Sequence, residues 1–334
     1  MSKPFRMRPS AAVVTLLAVS TLALAACTSS GSPQATVTVT KPNGAVSTAT
    51  TDPAAASSLS SSASASKPAV ATKPVHIRLL NSDGSVYGVG MPVIAYFSKK
   101  ITDGKALQAA TKATVNGKPV QAAGWYFEYS SAQTGYPIEA HFRLADFWPA
   151  HSQIHIDIPA KGLSAGPGLT YDDSLTLDFS TGARNISTVD DASHTITVSS
   201  DGKQFGRFPV SLGSDKTPTK RGTKVIMEKG RDIRMTGPGY DDPHVKYTQR
   251  LTYGGEYLHA APWNTYNIGH GIDSSNGCTN LYDSVAIKLY NFLRIGDVVM
   301  YPNATGPQMQ LGDGYGDWNV DAAVWATGGL VPTK

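Results

Sequence analysis

The sequence predicts a mainly β protein: a β-sandwich of immunoglobulin type, then a second β-rich unit holding one clear helix. Three observations carry this. From residue 74 onward, short apolar or alternating runs recur between Gly, Pro and Asn turns. No immunoglobulin-type cysteine pair accompanies them. Only the stretch that opens at Asp283 repeats its apolar residues with a helical period.

Residues 1–27 have the parts of an export signal. Lys3, Arg6 and Arg8 precede an apolar run from Ala11 to Ala26, closed by Leu24-Ala25-Ala26-Cys27. The run is short for a permanent span, so removal is expected. A cysteine at that boundary resembles the bacterial lipoprotein pattern, which implies a diacylglycerol on the Cys27 thiol. It also implies a lipid-anchored chain on the extracytoplasmic face of the cell membrane. Residues 28–73 are Ser, Thr, Ala, Pro and Val with almost no charge, as in Ser57-Ser58-Leu59-Ser60-Ser61-Ser62. Such a stretch buries too little apolar surface to offset its ordering entropy, so a disordered tether spanning roughly 35–40 Å root-mean-square is expected.

Residues 74–182 form the expected sandwich, with strands at Val75–Leu79, Pro92–Phe97, Trp125–Tyr129, Gln153–Ile158 and Ser174–Phe179. Residues 183–305 form the second unit. Its strands His194–Ser199 and Gln204–Val210 flank Ser200-Asp201-Gly202-Lys203, a hairpin signal, and others are expected at Thr223–Glu228 and Glu256–His259. The helix runs from Asp283, read as its N-cap, through Leu289 and Leu293 to a stop near Gly296. Residues 306–334 are expected to pack on this second unit.

Charge excludes one class of partner. Of 29 Lys and Arg, three leave with the signal, and the remaining 26 face 25 Asp and Glu. No polybasic stripe remains, so nucleic acid is not expected. No Gly-rich phosphate loop is present, and no nucleotide cofactor is expected. His141, His151 and His155 lack a third ligand at metal-site spacing, so no metal is expected. The two cysteines leave two states open: a Cys27–Cys278 disulfide, or a lipid on Cys27 that makes Cys278 a free thiol.

Two segments of the second unit hold residues suited to acyl transfer. Tyr257-Leu258-His259-Ala260-Ala261-Pro262-Trp263 puts His259 at a strand end, where a sheet can aim it. Nineteen positions later Cys278 follows Gly277. A thiol is only about a few per cent ionised at neutral pH, so an imidazole that takes its proton makes it a competent acyl acceptor. Gly277 lets backbone approach a reacting carbonyl, and the N–H groups of Gly277 and Cys278 are candidate oxyanion donors.

The surrounding sequence resembles the L,D-transpeptidase catalytic domain of the YkuD family. Its signature is a histidine, a variable stretch, then Ser-His-Gly-Cys and, one residue on, Asn or Arg. Here His259 is followed by fifteen residues and then Ser275-Asn276-Gly277-Cys278-Thr279-Asn280. The resemblance is closest to the actinobacterial branch, on His259-Ala260-Ala261-Pro262-Trp263, Thr217-Pro218-Thr219 and Gly312-Asp313-Gly314-Tyr315-Gly316-Asp317-Trp318-Asn319. Gly90-Met91-Pro92-Val93 and Phe147-Trp148-Pro149-Ala150-His151 are similar to that branch's immunoglobulin-like domain. The resemblance implies that Cys278 is the nucleophile, His259 the general base and the Ala260 carbonyl its orienting partner. Tyr240 corresponds to a lid tyrosine. Gly254, Gly255 and Asn280 fall where the family contacts its donor peptide, and Trp263 beside the site or in plain core.

The implied function is a peptidoglycan L,D-transpeptidase. It joins a donor tetrapeptide stem to an acceptor stem in a 3→3 cross-link through a Cys278 thioester, and carbapenems acylate it. An L,D-carboxypeptidase or protein-to-wall linker would share that thioester; a catalytically silent wall-binding lipoprotein would not form it. One position departs from the signature. Asn276 stands where a histidine is usual, and it can hydrogen-bond but not carry a proton. His270 is a candidate substitute base.

Overall fold

The computed structural model describes residues 71–120, 124–131, 133–237 and 239–334. The signal, Cys27 and the tether up to residue 70 lie outside them. Among the described residues no helix is long and apolar enough to cross a membrane.

The first sandwich packs two sheets face to face. One has the order Ile77–Leu79, Val93–Phe97, Ile138–Arg143, Gly124–Tyr129; the other has Val86–Tyr87, Leu175–Thr181, Gln153–Ile158, Lys112–Val115, Lys118–Pro119. Period-two alternation explains the filling. Ile154, Ile156 and Ile158 point inward from one strand and Leu177 and Phe179 from its neighbour, to meet Trp125, Phe127 and Phe142 of the opposite sheet. The outer face of Ile138–Arg143 is buried too, although it carries Glu139, His141 and Arg143.

The second unit also has two sheets. Five strands run Lys203–Pro209, Thr195–Ser200, Asn185–Asp190, Val298–Tyr301, Gly222–Val225; four run Glu228–Gly237, Tyr240–Arg250, Tyr257–Ala260, Thr279–Leu281. The turn at Asp201-Gly202 has φ of 48° and 79°, as a two-residue hairpin of right-handed twist requires. The expected strand Thr223–Glu228 is divided: the chain leaves one sheet after Val225 and enters the other at Glu228. The long hairpin Glu228–Arg250 has no counterpart in the sequence reading. The helix spans Asp283–Phe292 and buries Val285, Ala286 and Leu289. Its N-cap is Tyr282, not Asp283, which instead places its carboxylate in the first turn.

The C-terminal segment contacts the second unit and the first as well. Gly306 and Met309 donate backbone hydrogen bonds to Thr219 and Arg221 of the second unit. Farther on, Trp325 stacks on Tyr126, and Phe127 exchanges backbone bonds with Gly328 and Leu330. Trp318 reaches the Gly90 carbonyl (Nε1 to O, 2.9 Å). Behind it a small core joins Met91, Ile94 and Tyr96 to Val225, Met227 and Tyr315. At the same joint Gly88 and Gly90 donate to the carbonyls of Ile295 and Gly296.

That joint is close enough to test. A Cβ on Gly88 would lie 2.1 Å from the backbone nitrogen of Asp297, whereas one on Gly124 would meet its nearest neighbour at 3.8 Å. Gly88→Ala is expected to cost about 1–3 kcal/mol in thermal or urea unfolding, and Gly124→Ala to cost far less.

Candidate active site

Parallel pairing builds the site. Leu258, His259 and Ala260 lie beside Thr279, Asn280 and Leu281 in register. Leu258, Ala260 and Leu281 enter the core of the second unit. By alternation His259 and Asn280 face the opposite side, and Cys278 sits at the entrance of the second strand. These three line one cavity with Tyr240, Asp242, Trp263, Ser275 and Asn276.

His259 is aimed by its own strand. Its Nδ1 lies 2.8 Å from the Ala260 carbonyl, and since a carbonyl only accepts, Nδ1 carries the proton. Nε2 is then the basic nitrogen. Trp263 stacks against the imidazole with centroids 6.0 Å apart and is 57 % exposed, so it forms a rim of the cavity and is not core.

The Cys278 loop is tied down by hydroxyls. Gly277 has a φ of 104°, which a side chain would strain. Ser275 Oγ donates to the Cys278 carbonyl at 2.6 Å and accepts the Gly277 N–H at 3.1 Å. Thr219 Oγ1 donates to the Gly277 carbonyl at 2.9 Å, and Thr217 Oγ1 to the Ser275 carbonyl at 2.9 Å. This corrects the role expected of Gly277. Its N–H is already committed to Ser275, which leaves the Cys278 N–H as the oxyanion candidate of that pair.

Cys278 is buried and free. Its thiol points at the Gly255 carbonyl, 3.5 Å away. Burial pushes the thiol up to about 12, against the Tyr257 backbone N–H and the Lys224 ammonium, which favour the thiolate. Burial also holds His259 below the usual imidazole value, although its bond to Ala260 and the Asp242 carboxylate oppose this. The two groups therefore rest as neutral thiol and neutral imidazole.

Gly254 and Gly255 divide. Gly255 meets the thiol through its carbonyl, but Gly254 is not part of the cavity wall. Its N–H is held by Asp313 Oδ1 at 2.6 Å, and Asp313 also pairs with Lys220. A residue of the C-terminal segment thus braces the turn whose carbonyl receives the thiol. Behind the cysteine, Lys224 is fully buried, pairs with Glu256 at 2.5 Å and lies over the Tyr301 ring. Neither Asp313 nor Lys224 was singled out from sequence, since each gains its role only through pairing across the fold. Tyr240 opens the second strand of the long hairpin and reaches the cavity, where burial first and the nearby cysteine second push its hydroxyl up. Asn276 lies exposed at the rim. Asn280 Oδ1 is buried without a hydrogen-bond partner. His270 stacks on Tyr266 outside the cavity, its Nδ1 2.7 Å from the Tyr266 carbonyl, and is no substitute base.

Residues 184–300 match the L,D-transpeptidase catalytic domain of the YkuD family, and residues 45–164 match a bacterial Ig domain. L,D-transpeptidase 2 of Mycobacterium tuberculosis is 30% identical over 79% of the chain, which spans 64% of that relative. A solved L,D-transpeptidase in complex with imipenem is 25% identical, with a TM-score of 0.55 over 67% of this chain and 97% of that one. The probable L,D-transpeptidase 3 of Mycobacterium tuberculosis is 31% identical over 66% of the chain and 84% of its own length. On the sequence blocks, the two sandwiches and this breadth of similarity, the chain belongs to the L,D-transpeptidase family.

Proposed function

We propose that the chain is a peptidoglycan L,D-transpeptidase that works through a Cys278 thioester. The observation that carries this reading is the His259 Nδ1 bond to the Ala260 carbonyl, which leaves Nε2 basic in the cavity shared with Cys278.

The donor stem enters with the carbonyl of its third residue at Cys278. His259 Nε2 takes the thiol proton as sulfur bonds to that carbonyl carbon. Because thiol and imidazole rest neutral, the proton moves with attack and not before it. The Cys278 N–H and the Tyr240 hydroxyl face the resulting oxyanion. Its collapse breaks the peptide bond, and the terminal D-alanine leaves with the proton from the imidazolium. The amine of an acceptor stem then attacks the thioester, gives a proton to His259 and releases Cys278, forming the 3→3 cross-link. A carbapenem presents a strained acyl group to the same sulfur. Cys27, carrying lipid, holds the enzyme at the outer face of the membrane.

Intact-protein mass tests the central step. With imipenem, the chain is expected to gain one covalent adduct and Cys278→Ala none; tetrapeptide muropeptides are then expected to yield 3→3 dimers. An adduct without dimers would favour hydrolysis or protein-to-wall linkage, and no adduct would sink the reading. The pH profile of acylation supplies a second check. Only neutral His259 accepts the proton, and burial holds it below the usual imidazole value, so the rate should be level through neutral pH and fall only below the ordinary imidazole range; a limb near pH 8–9 would instead report a freely ionising thiol. Removing the loop hydroxyl in Ser275→Ala should slow acylation by up to about 10²-fold with the fold intact by circular dichroism. Because Asn276 lies on the rim, Asn276→His should change the acylation rate by less than about tenfold. A gain of ~10² or more would assign proton transfer to that position.

A further inference from the structure

The Gly124–Tyr129 and Ile138–Arg143 strands pair antiparallel, with Glu128 directly opposite Glu139. Like charges in that register repel. His141, two residues along, lies on the same face, and the C-terminal segment covers all three. Glu139 is 1 % exposed and His141 2 %. Asp317, fully buried, lies 2.7 Å from His141 Nδ1 and accepts its proton. Against its burial, the Asp317, Glu128 and Glu139 carboxylates raise His141 to about 9, so Nε2 turns toward the two glutamates as an N–H whose proton a metal ion would displace.

Nε2 then finds no ordinary partner. It sits 3.9 Å from Glu128 Oε1 and 3.8 Å from Glu139 Oε1, beyond hydrogen-bonding distance of either. The three donor atoms lie within 4.8 Å of one another. Glu139 is oriented by Ser130 Oγ at 3.0 Å and Ser131 Oγ at 3.4 Å. Arg143, on the same face, directs Nη1 and Nη2 to the carbonyls of Leu144, Ala145 and Val320, and its buried Nε has no hydrogen-bond partner. Three carboxylates thus converge on one imidazole in a buried joint, and Asp317 Oδ2 has no hydrogen-bond partner.

We propose that Glu128, Glu139 and His141 bind a divalent transition-metal ion, zinc by their chemistry, with Asp317 as the outer partner of the histidine. One imidazole and two carboxylates are zinc-type donors, and a carboxylate on the far ring nitrogen is the usual support of such a ligand. Tetrahedral zinc with bonds of about 2.0–2.2 Å sets donors roughly 3.4 Å apart, so the observed 3.8 and 3.9 Å require only side-chain closure. The ion would join the first sandwich to the C-terminal segment, away from Cys278.

Titration calorimetry with zinc chloride on untagged, chelator-stripped Cys278→Ala chain tests this, since that variant lacks the other thiol–imidazole site. One equivalent of zinc is expected to bind. Glu128→Gln and Glu139→Gln, which keep the side-chain volume, should each weaken it at least tenfold, and Asp317→Asn by about 10–100-fold. His141→Ala should abolish it; if that variant does not fold, the two glutamine variants decide. No binding, or binding that both glutamine variants leave intact, overturns the site.

Discussion

The parallel register of His259 with Asn280 is the constraint on which the site depends. Parallel neighbours need a crossover, and here residues 261–278 make one, so the cysteine arrives at the strand entrance from the side already occupied by the histidine. The alternate residues Leu258, Ala260 and Leu281 lock that register in the core. A slip by one residue would turn His259 into the core and bring an apolar side chain to the cavity. Catalytic geometry and packing are thus enforced by the same pairing.

Desolvation works in two directions around Cys278. It keeps the thiol protonated at rest, which lowers its reactivity toward whatever enters the cavity. In the proposed reaction, proton transfer must then accompany bond formation. Lys224 and Glu256 moderate the field behind the sulfur: the ammonium favours the thiolate and the carboxylate disfavours it. Because the two are paired and buried, removing either would leave an uncompensated charge beneath the Cys278 loop.

Much of this was legible in the sequence where the signal is local. The Asp201-Gly202 turn, the alternating strands of the first sandwich and the amphipathic helix after Cys278 each carry their pattern within a few residues. His259, Ala260 and Cys278 were legible through sequence blocks. The hairpin Glu228–Arg250 was not, because charged residues such as Arg231, Asp232, Arg234, Asp241 and Asp242 leave it without a continuous apolar face. The use of the Gly277 N–H was also hidden, since it depends on where the Ser275 hydroxyl points. Glu128, Glu139 and His141 read as unrelated polar residues until antiparallel register brings them together, and Asp313 and Asp317 act only through a segment folded back over the first sandwich.

That fold-back ties together parts of the chain that are far apart in sequence. Trp318 and Gly90 are 228 positions apart, and Asp317 and His141 are 176. Contacts of such separation close long loops, at a higher entropic cost than the local pairings of the first sandwich. Without residues 317–325 the outer face bearing Glu139, His141 and Arg143 would be hydrated, with its charges screened by water. Residues 317–325 therefore exchange water for Asp317, Trp318 and Trp325 on that face, and the joint between the units is held by contacts that no local sequence pattern specifies.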